Sequence, residues 1–386
     1  MTKHQSQYYL DYNATCPPLP EVMQAMQEAA DEAFGNPSSL HWAGRGARRK
    51  LDDAREALAR FFHVESGSVV LTSGGTESNN MVIQGVVAGS ASGHIVVSAV
   101  EHPSVLQAVE AWCARFPGWS FTTVKPNSHG KVEADALMQA CTDETKLVCL
   151  MWANNETGVI QPVFEVAQAC REKNILCFVD GVQALGKLDT RLDKLDADFV
   201  SFSAHKIGGP RGVGVLIQKR GRRLASLMVG GGQERGRRSG TEDVAGACGF
   251  AAALGVLDYT QAQGVRNAFE AKLKQAIPQV TIFGEREART ANTSMFCVPG
   301  LEGETLLMQM DLMGFAVASG SACSSGKREP SHVLLAMGAP EVQARSSLRI
   351  SFGADADESV VDALLQGLLR VQQRLRQMSG RGEYKF

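Results

Sequence analysis

Through the first 220 residues, short and almost purely apolar runs recur, separated by longer stretches of mixed character. Runs at 69–72, 94–98, 146–151, 175–180 and 197–202 each predict a strand set in a buried sheet. Between them, 21–34 and 44–62 predict helices, as do an apolar stretch ending near Val86 and a segment opened by Pro103. Arg45, Arg48, Arg49 and Lys50 read as the solvated face of the second helix. Strand-then-helix alternation of this kind marks an α/β fold with a largely parallel sheet.

After residue 220 the pattern changes. Residues 230–241 are rich in glycine and arginine, a poor regular element but a loop suited to contacting anions. A helix over 245–259 reads as the bridge to a second unit. That unit is predicted to hold helix 262–277, strands 280–282 and 293–298, helix 303–313, strand 347–352 and a last helix over 357–377. No internal repeat or low-complexity segment interrupts the chain.

Size and composition narrow the classes of function. A chain of 386 residues is long enough for two domains. A net charge of −2 gives no reason to expect nucleic acid or an anionic membrane as partner. No apolar stretch reaches membrane-span length and the first residues lack a hydrophobic signal core, so cytoplasmic residence is the expectation. Nine cysteines are scattered without paired spacing, which argues against a disulfide framework and against a zinc or other metal site. Cys149, Cys170, Cys177 and Cys248 lie in apolar segments and read as core residues. Cys323 does not. It sits among small, flexible, polar residues, where it is either an accidental loop thiol or a nucleophile.

The candidate chemistry gathers at predicted strand ends. Lys206 follows strand 197–202 and precedes Gly208-Gly209-Pro210; taken alone, it reads as a solvated turn residue. Asp180 ends strand 175–180, and ligands of open α/β sheets sit outside such carboxyl ends. A carboxylate for a pyridinium nitrogen and an amine for an imine are what a pyridoxal phosphate site needs, so the pair favours that cofactor over a structural ion pair. Residues 73–80, glycines and small hydroxyls between a strand and a helix, suit a phosphate at a helix N-terminus. They do not form a nucleotide-binding P-loop. His102, at another strand end, is a turn residue or a ring lying on the cofactor; Asn154 and Asn155 are loop formers or anion ligands.

These segments resemble the cysteine desulfurases of the NifS/IscS type, in the class-V aminotransferase family of fold type I pyridoxal phosphate enzymes. The resemblance runs from Leu10-Asp11-Tyr12-Asn13-Ala14-Thr15 to Leu348-Arg349-Ile350-Ser351-Phe352-Gly353. Its most specific pieces are Ser203-Ala204-His205-Lys206 and Ser319-Gly320-Ser321-Ala322-Cys323-Ser324-Ser325-Gly326, with Glu329-Pro330-Ser331-His332 after it. The second has the long-loop form of the group I enzymes. It implies a large cofactor-binding domain, 15–255, with a mostly parallel seven-stranded sheet flanked by helices. Residues 1–14 and 256–386 then form a smaller α+β domain carrying the Cys323 loop, about 318–331.

On the same resemblance, Lys206 holds pyridoxal phosphate through an imine and Asp180 pairs the ring nitrogen. Gln183 meets the ring oxygen and His102 stacks on the ring. Gly75, Thr76, Ser203 and His205 hold the phosphate, with Thr241 reaching it from the other subunit of a homodimer. Asn13, Asn155 and Arg349 bind the substrate. The implied reaction turns L-cysteine into L-alanine: Lys206 moves the Cα proton, His102 carries protons, and Cys323 takes the sulfur as a persulfide. An iron-sulfur scaffold protein would receive it. Selenocysteine lyase, or another lyase on this scaffold, is the alternative.

Overall fold

The computed structural model describes residues 7–219, 221–319 and 329–378. After a two-residue strand, β1 (Tyr8–Tyr9), come the strands of the main sheet. They are β2 (Val69–Thr72), β3 (Gly93–Ser98), β4 (Trp119–Val124), β5 (Thr145–Cys149), β6 (Leu176–Asp180), β7 (Phe199–Ser203) and β8 (Gly214–Gln218). Their order across the sheet is β2-β8-β7-β6-β5-β3-β4, and every pairing is parallel except the two that β8 makes.

Burial explains why the strands read so plainly. Every residue of β2, β3, β7 and β8 is buried, because helices cover both faces of the sheet. Each large side chain so enclosed, Phe199 and Phe202 among them, contributes roughly 1.5–3 kcal/mol. All five predicted strands are present. Two others were not anticipated. β4 is an edge strand that exposes its four inner residues, so it lacks the continuous apolar run, and β8 follows a glycine-rich turn as the antiparallel member.

The helices Pro20–Glu32 and Trp42–Phe62 match the predicted 21–34 and 44–62. The second buries Ala47, Leu51, Ala54, Leu58 and Phe62 at helical spacing and turns Arg45, Arg48 and Arg49 outward. The predicted bridge over 245–259 is shorter. It spans Val244–Ala253, because Leu254 leaves helical space and Gly255 takes a φ of 71°, a turn that glycine adopts at no cost.

The rest of the chain builds a second core. β9 (Thr281–Phe283), β10 (Thr293–Cys297), β11 (Phe315–Ala316), β12 (Ala318–Ser319) and β13 (Ser347–Ser351) are its strands. Four form an antiparallel sheet in the order β12-β13-β10-β9. Helices Thr260–Ala276, Gly303–Leu312 and Glu358–Met378 pack on one face. Alternation along β10 sends Phe296 into this second core and Met295 and Cys297 into the core under the main sheet. β1 pairs in parallel with β11, and Leu10 enters the second core, so the entry segment is tied there before reaching the main sheet. Among the described residues, no helix is long and apolar enough to cross a membrane.

Candidate active site

A cavity of about 320 Å³ opens at the carboxyl ends of the main-sheet strands, where an α/β fold places its ligands. Lys206, Asp180, His102, Gln183, Gly75, Thr76, Ser203 and His205 all line it from that side. Asn13, Asn155 and Arg349 line it from the entry segment, the turn after β5, and β13. Residues drawn from nearly the whole chain thus converge on one space.

Asp180 and Lys206 stand on adjacent strands. Asp180 is the last residue of β6, paired in register with Ser201 of β7, and Lys206 lies in the short helical turn that follows β7. Asp180 is buried, and two donors fix its carboxylate: the Val182 N–H to Oδ1 at 3.0 Å and Asn79 Nδ2 to Oδ2 at 2.8 Å. Lys206 Nζ donates to the carbonyls of Asn13 at 2.7 Å and Ala14 at 2.9 Å.

At the other end of the cavity, helix Gly75–Val87 begins without a side-chain cap. Its first N–H groups and the positive end of its dipole therefore face the space lined by Gly75, Thr76, Ser203 and His205. Gly74 has a φ of 148°, open to glycine alone, and a Cβ on Gly75 would come within 2.8 Å of Val182. An amine, a fixed carboxylate and an uncapped helix start are the donor set that pyridoxal phosphate requires, and the residues fit it.

His102 caps helix Pro103–Arg115 through Nδ1, which accepts the Ser104 N–H at 3.1 Å and lies 2.8 Å from the Ser104 hydroxyl. With Nδ1 accepting, the neutral ring carries its proton on Nε2. Burial holds its pKa below the usual 6.5, aided by the charges of Lys206 and His332 and opposed by Asp180. His205, hydrogen-bonded to Thr15 at 3.1 Å, is pushed down to about 4 by burial and by the charges of Lys206 and Arg211. Both imidazoles are neutral at pH 7.

Arg349 is buried on β13, its Nη2 2.5 Å from Asp11 and its Nη1 3.0 Å from the Asn155 carbonyl. Its Nε is buried with no hydrogen-bond partner among the described residues. Of the tandem amides, Asn154 builds the turn through the N–H groups of residues 156 and 157, while Asn155 faces the cavity.

Several participants escaped the sequence reading. Asn79 accepts from Ser201 at 2.7 Å and donates to both Asp180 and Ser104, linking the carboxylate to the support of His102. Asp11 pairs Arg349, and Lys187 holds Asn13 and Gln183. Glu101 is wholly buried, accepts the Met151 N–H at 2.6 Å, and is pushed well above the carboxylate range by burial and by Asp180. His332 donates to the Glu101 carbonyl at 2.9 Å and Ser331 bonds to Glu156, which fixes residues 331 and 332 against the strand ends.

Two predicted residues remain to be accounted for. Thr241 is exposed, away from the lining residues of its own chain, and Cys323 lies outside the described residues. In the glycine- and arginine-rich loop, Arg238 pairs with Glu77 at 2.8 Å and Arg237 donates to the carbonyls of Gly67 and Val69. Those arginines pin the loop rather than wait for an anion. Cys149, Cys170 and Cys177 are buried as expected, and Cys248 is half-buried.

A family model, aminotransferase class-V, matches residues 8–364. The chain belongs to the class-V aminotransferases. It is 37% identical over 383 residues to a cysteine desulfurase IscS from Clostridium botulinum (strain Kyoto / Type A2), covering 97% of this chain and 96% of that relative. A solved NifS-like protein superposes with a TM-score of 0.87 at 32% identity, covering 96% of this chain and 99% of the other. A structure titled SspA in complex with cysteine matches with a TM-score of 0.81 at 28% identity, over 90% and 99% of the two chains. The mostly parallel seven-stranded sheet is thus the fold type I arrangement of this class-V family.

Proposed function

We propose that the protein is a cysteine desulfurase that converts L-cysteine to L-alanine and takes the sulfur onto Cys323 as a persulfide. The observation that carries this reading is the shared cavity: an amine from Lys206, a carboxylate from Asp180 and a guanidinium from Arg349 face one space. The class-V relatives named as cysteine desulfurases, and the related structure titled as a complex with cysteine, support the substrate class.

Bound in this cavity, pyridoxal phosphate supplies an electron sink for bonds to the substrate Cα. The chain's own residues do the rest. Lys206 holds the cofactor and moves the Cα proton on Nζ, and Asp180 keeps a proton at the ring nitrogen. Gly75 and Thr76 give N–H groups to the phosphate, with Ser203 and His205 beside them and Thr241 entering from the second subunit of a homodimer. Gln183 would meet the ring oxygen, and His102, with a proton at Nε2, would stack on the ring. Arg349 grips the substrate carboxylate, supported by Asn13 and Asn155.

The Cys323 thiolate attacks the substrate sulfur; the carbon–sulfur bond breaks and a sulfur–sulfur bond forms, leaving alanine. Cysteine plus protein thiol gives alanine plus protein persulfide, so no outside oxidant is needed. We assign the acceptor to an iron-sulfur scaffold protein and the setting to the cytoplasm. We divide the chain into 15–255 and 1–14 with 256–386; the separate core built from Leu10 and residues from Tyr259 onward supports this, while Val333, Leu334 and Met337 pack back into the first core. The test is Cys323→Ala: it should bind pyridoxal phosphate with unchanged colour and release no sulfur from cysteine. Normal sulfur release by that variant would end the assignment.

A further inference from the structure

Lys187 is a second amine beside the cavity, and the chemistry above does not use it. It follows Gln183 by one helical-type step, and its Nζ donates to the Gln183 Oε1 at 2.7 Å and the Asn13 Oδ1 at 2.6 Å. The Tyr259 ring lies 5.9 Å from the same nitrogen. Both amides line the cavity and are buried. A protonated lysine can only donate, so each amide turns its oxygen toward Lys187 and its NH2 away from it. For Gln183 this leaves Nε2 donating one hydrogen to the Asn13 carbonyl at 2.9 Å and holding a second for the cavity. For Asn13, whose Oδ1 also accepts from Asn292 Nδ2 at 3.3 Å, Nδ2 is sent to the Asn155 carbonyl at 3.1 Å and to Thr293 at 2.9 Å.

We propose that Lys187 is a positioning residue that sets the orientation of the Gln183 amide, and with Asn292 that of Asn13, so that Gln183 presents an N–H to the cofactor's ring oxygen. The inference rests on the pyridoxal phosphate reading of the cavity. Its physical basis is the cost of a buried acceptor without a donor: with Lys187 gone, the Gln183 oxygen has lost its partner and swings toward the cavity. There it meets the negative ring oxygen instead of the N–H that should stabilise it. Burial and the charges of Lys206 and Arg349 push Lys187 well below the ordinary lysine range, yet even a neutral amine has two hydrogens for these two oxygens.

The experiment compares wild type, Lys187→Met, Lys187→Gln, Gln183→Ala and the double variant Lys187→Met/Gln183→Ala, each freed of cofactor and titrated with pyridoxal phosphate. Two quantities are read: the dissociation constant, and the midpoint pH of the visible absorbance of the lysine-bound cofactor. Lys187→Met is expected to weaken binding about tenfold, the loss of one restraining hydrogen bond. It should also move the midpoint upward by about one pH unit, because the ring oxygen and imine hold their shared proton more tightly. Lys187→Gln, which restores an NH2 donor, should recover most of both effects, and neither should appear when Gln183→Ala is already present.

A shift that persists in the Gln183→Ala background would mean that Lys187 acts through its charge and would overturn the proposal, as would unchanged values in Lys187→Met. If neither Lys187 variant folds, the residue is structural and the proposal fails. Failure of wild type to bind pyridoxal phosphate would instead remove the cofactor reading on which the proposal stands.

Discussion

The two walls of the cavity are built differently. The wall on the main sheet braces its charged group: Asp180 accepts two hydrogen bonds, and Asn79 spends both its N–H bonds and its oxygen on Asp180, Ser104 and Ser201. Its parts sit on strand ends and a helix start, which cannot shift without breaking the sheet. The opposite wall hangs on one guanidinium of the second core. Arg349 is anchored by Asp11 and one carbonyl, and it keeps a buried N–H with no partner among the described residues. A wall whose charged group is braced on rigid elements suits a resident group that must be held in one orientation. A wall that hangs on one side chain suits a group that arrives, reacts and leaves.

That contrast can be broken from either side. Asp180→Asn removes the charge from the braced wall and should lower kcat by roughly 10³-fold, about 4 kcal/mol, while cysteine still competes for the site. Steady-state kinetics with cofactor held in excess would check it. Arg349→Gln strikes the other wall and should reduce kcat/KM by about 10²-fold, mostly through KM, since a bidentate charged contact is lost. If Arg349→Gln instead lowered kcat with KM unchanged, the division of labour between the walls would be wrong. Asp11→Asn leaves Arg349 in place with a weaker anchor and should raise KM only about three- to tenfold.

A separate effect falls on stability. His205 titrates at about 4 when folded and near 6.5 when unfolded, because burial, with Lys206 and Arg211, disfavours its charged form. The unfolded chain therefore takes up the proton first as pH falls. Its contribution is fully present above pH 6.5, declines toward pH 4 and is constant below that. Thermal melts of the cofactor-free protein should show this acid-side decline, and His205→Gln should flatten it.

Much of this architecture was legible in the sequence for one physical reason. Strands buried on both faces must be apolar throughout, so five of the seven main-sheet strands stand out, and residues just past their ends mark the cavity. Lys206, Asp180, His102 and Gly75 were found that way. The edge strand β4 escaped because its exposed positions dilute the run. Asn79, Asp11 and Lys187 escaped because their partners are distant in the chain: Asp11 meets Arg349 and Lys187 meets Asn13 only once both cores have formed. Composition also misled. The arginines of 230–241 suggested a waiting anion, yet Arg238 is committed to Glu77 and Arg237 to backbone carbonyls. A charged loop does not disclose whether its counter-charges are already inside the protein.

The most direct measurement is borohydride reduction of the protein after addition of pyridoxal phosphate, followed by peptide mass mapping. The expected result is a stable pyridoxyl adduct on Lys206. An adduct on Lys187 in its place, or none on either lysine, would contradict the assignment of Lys206 as the amine that holds the cofactor against Asp180.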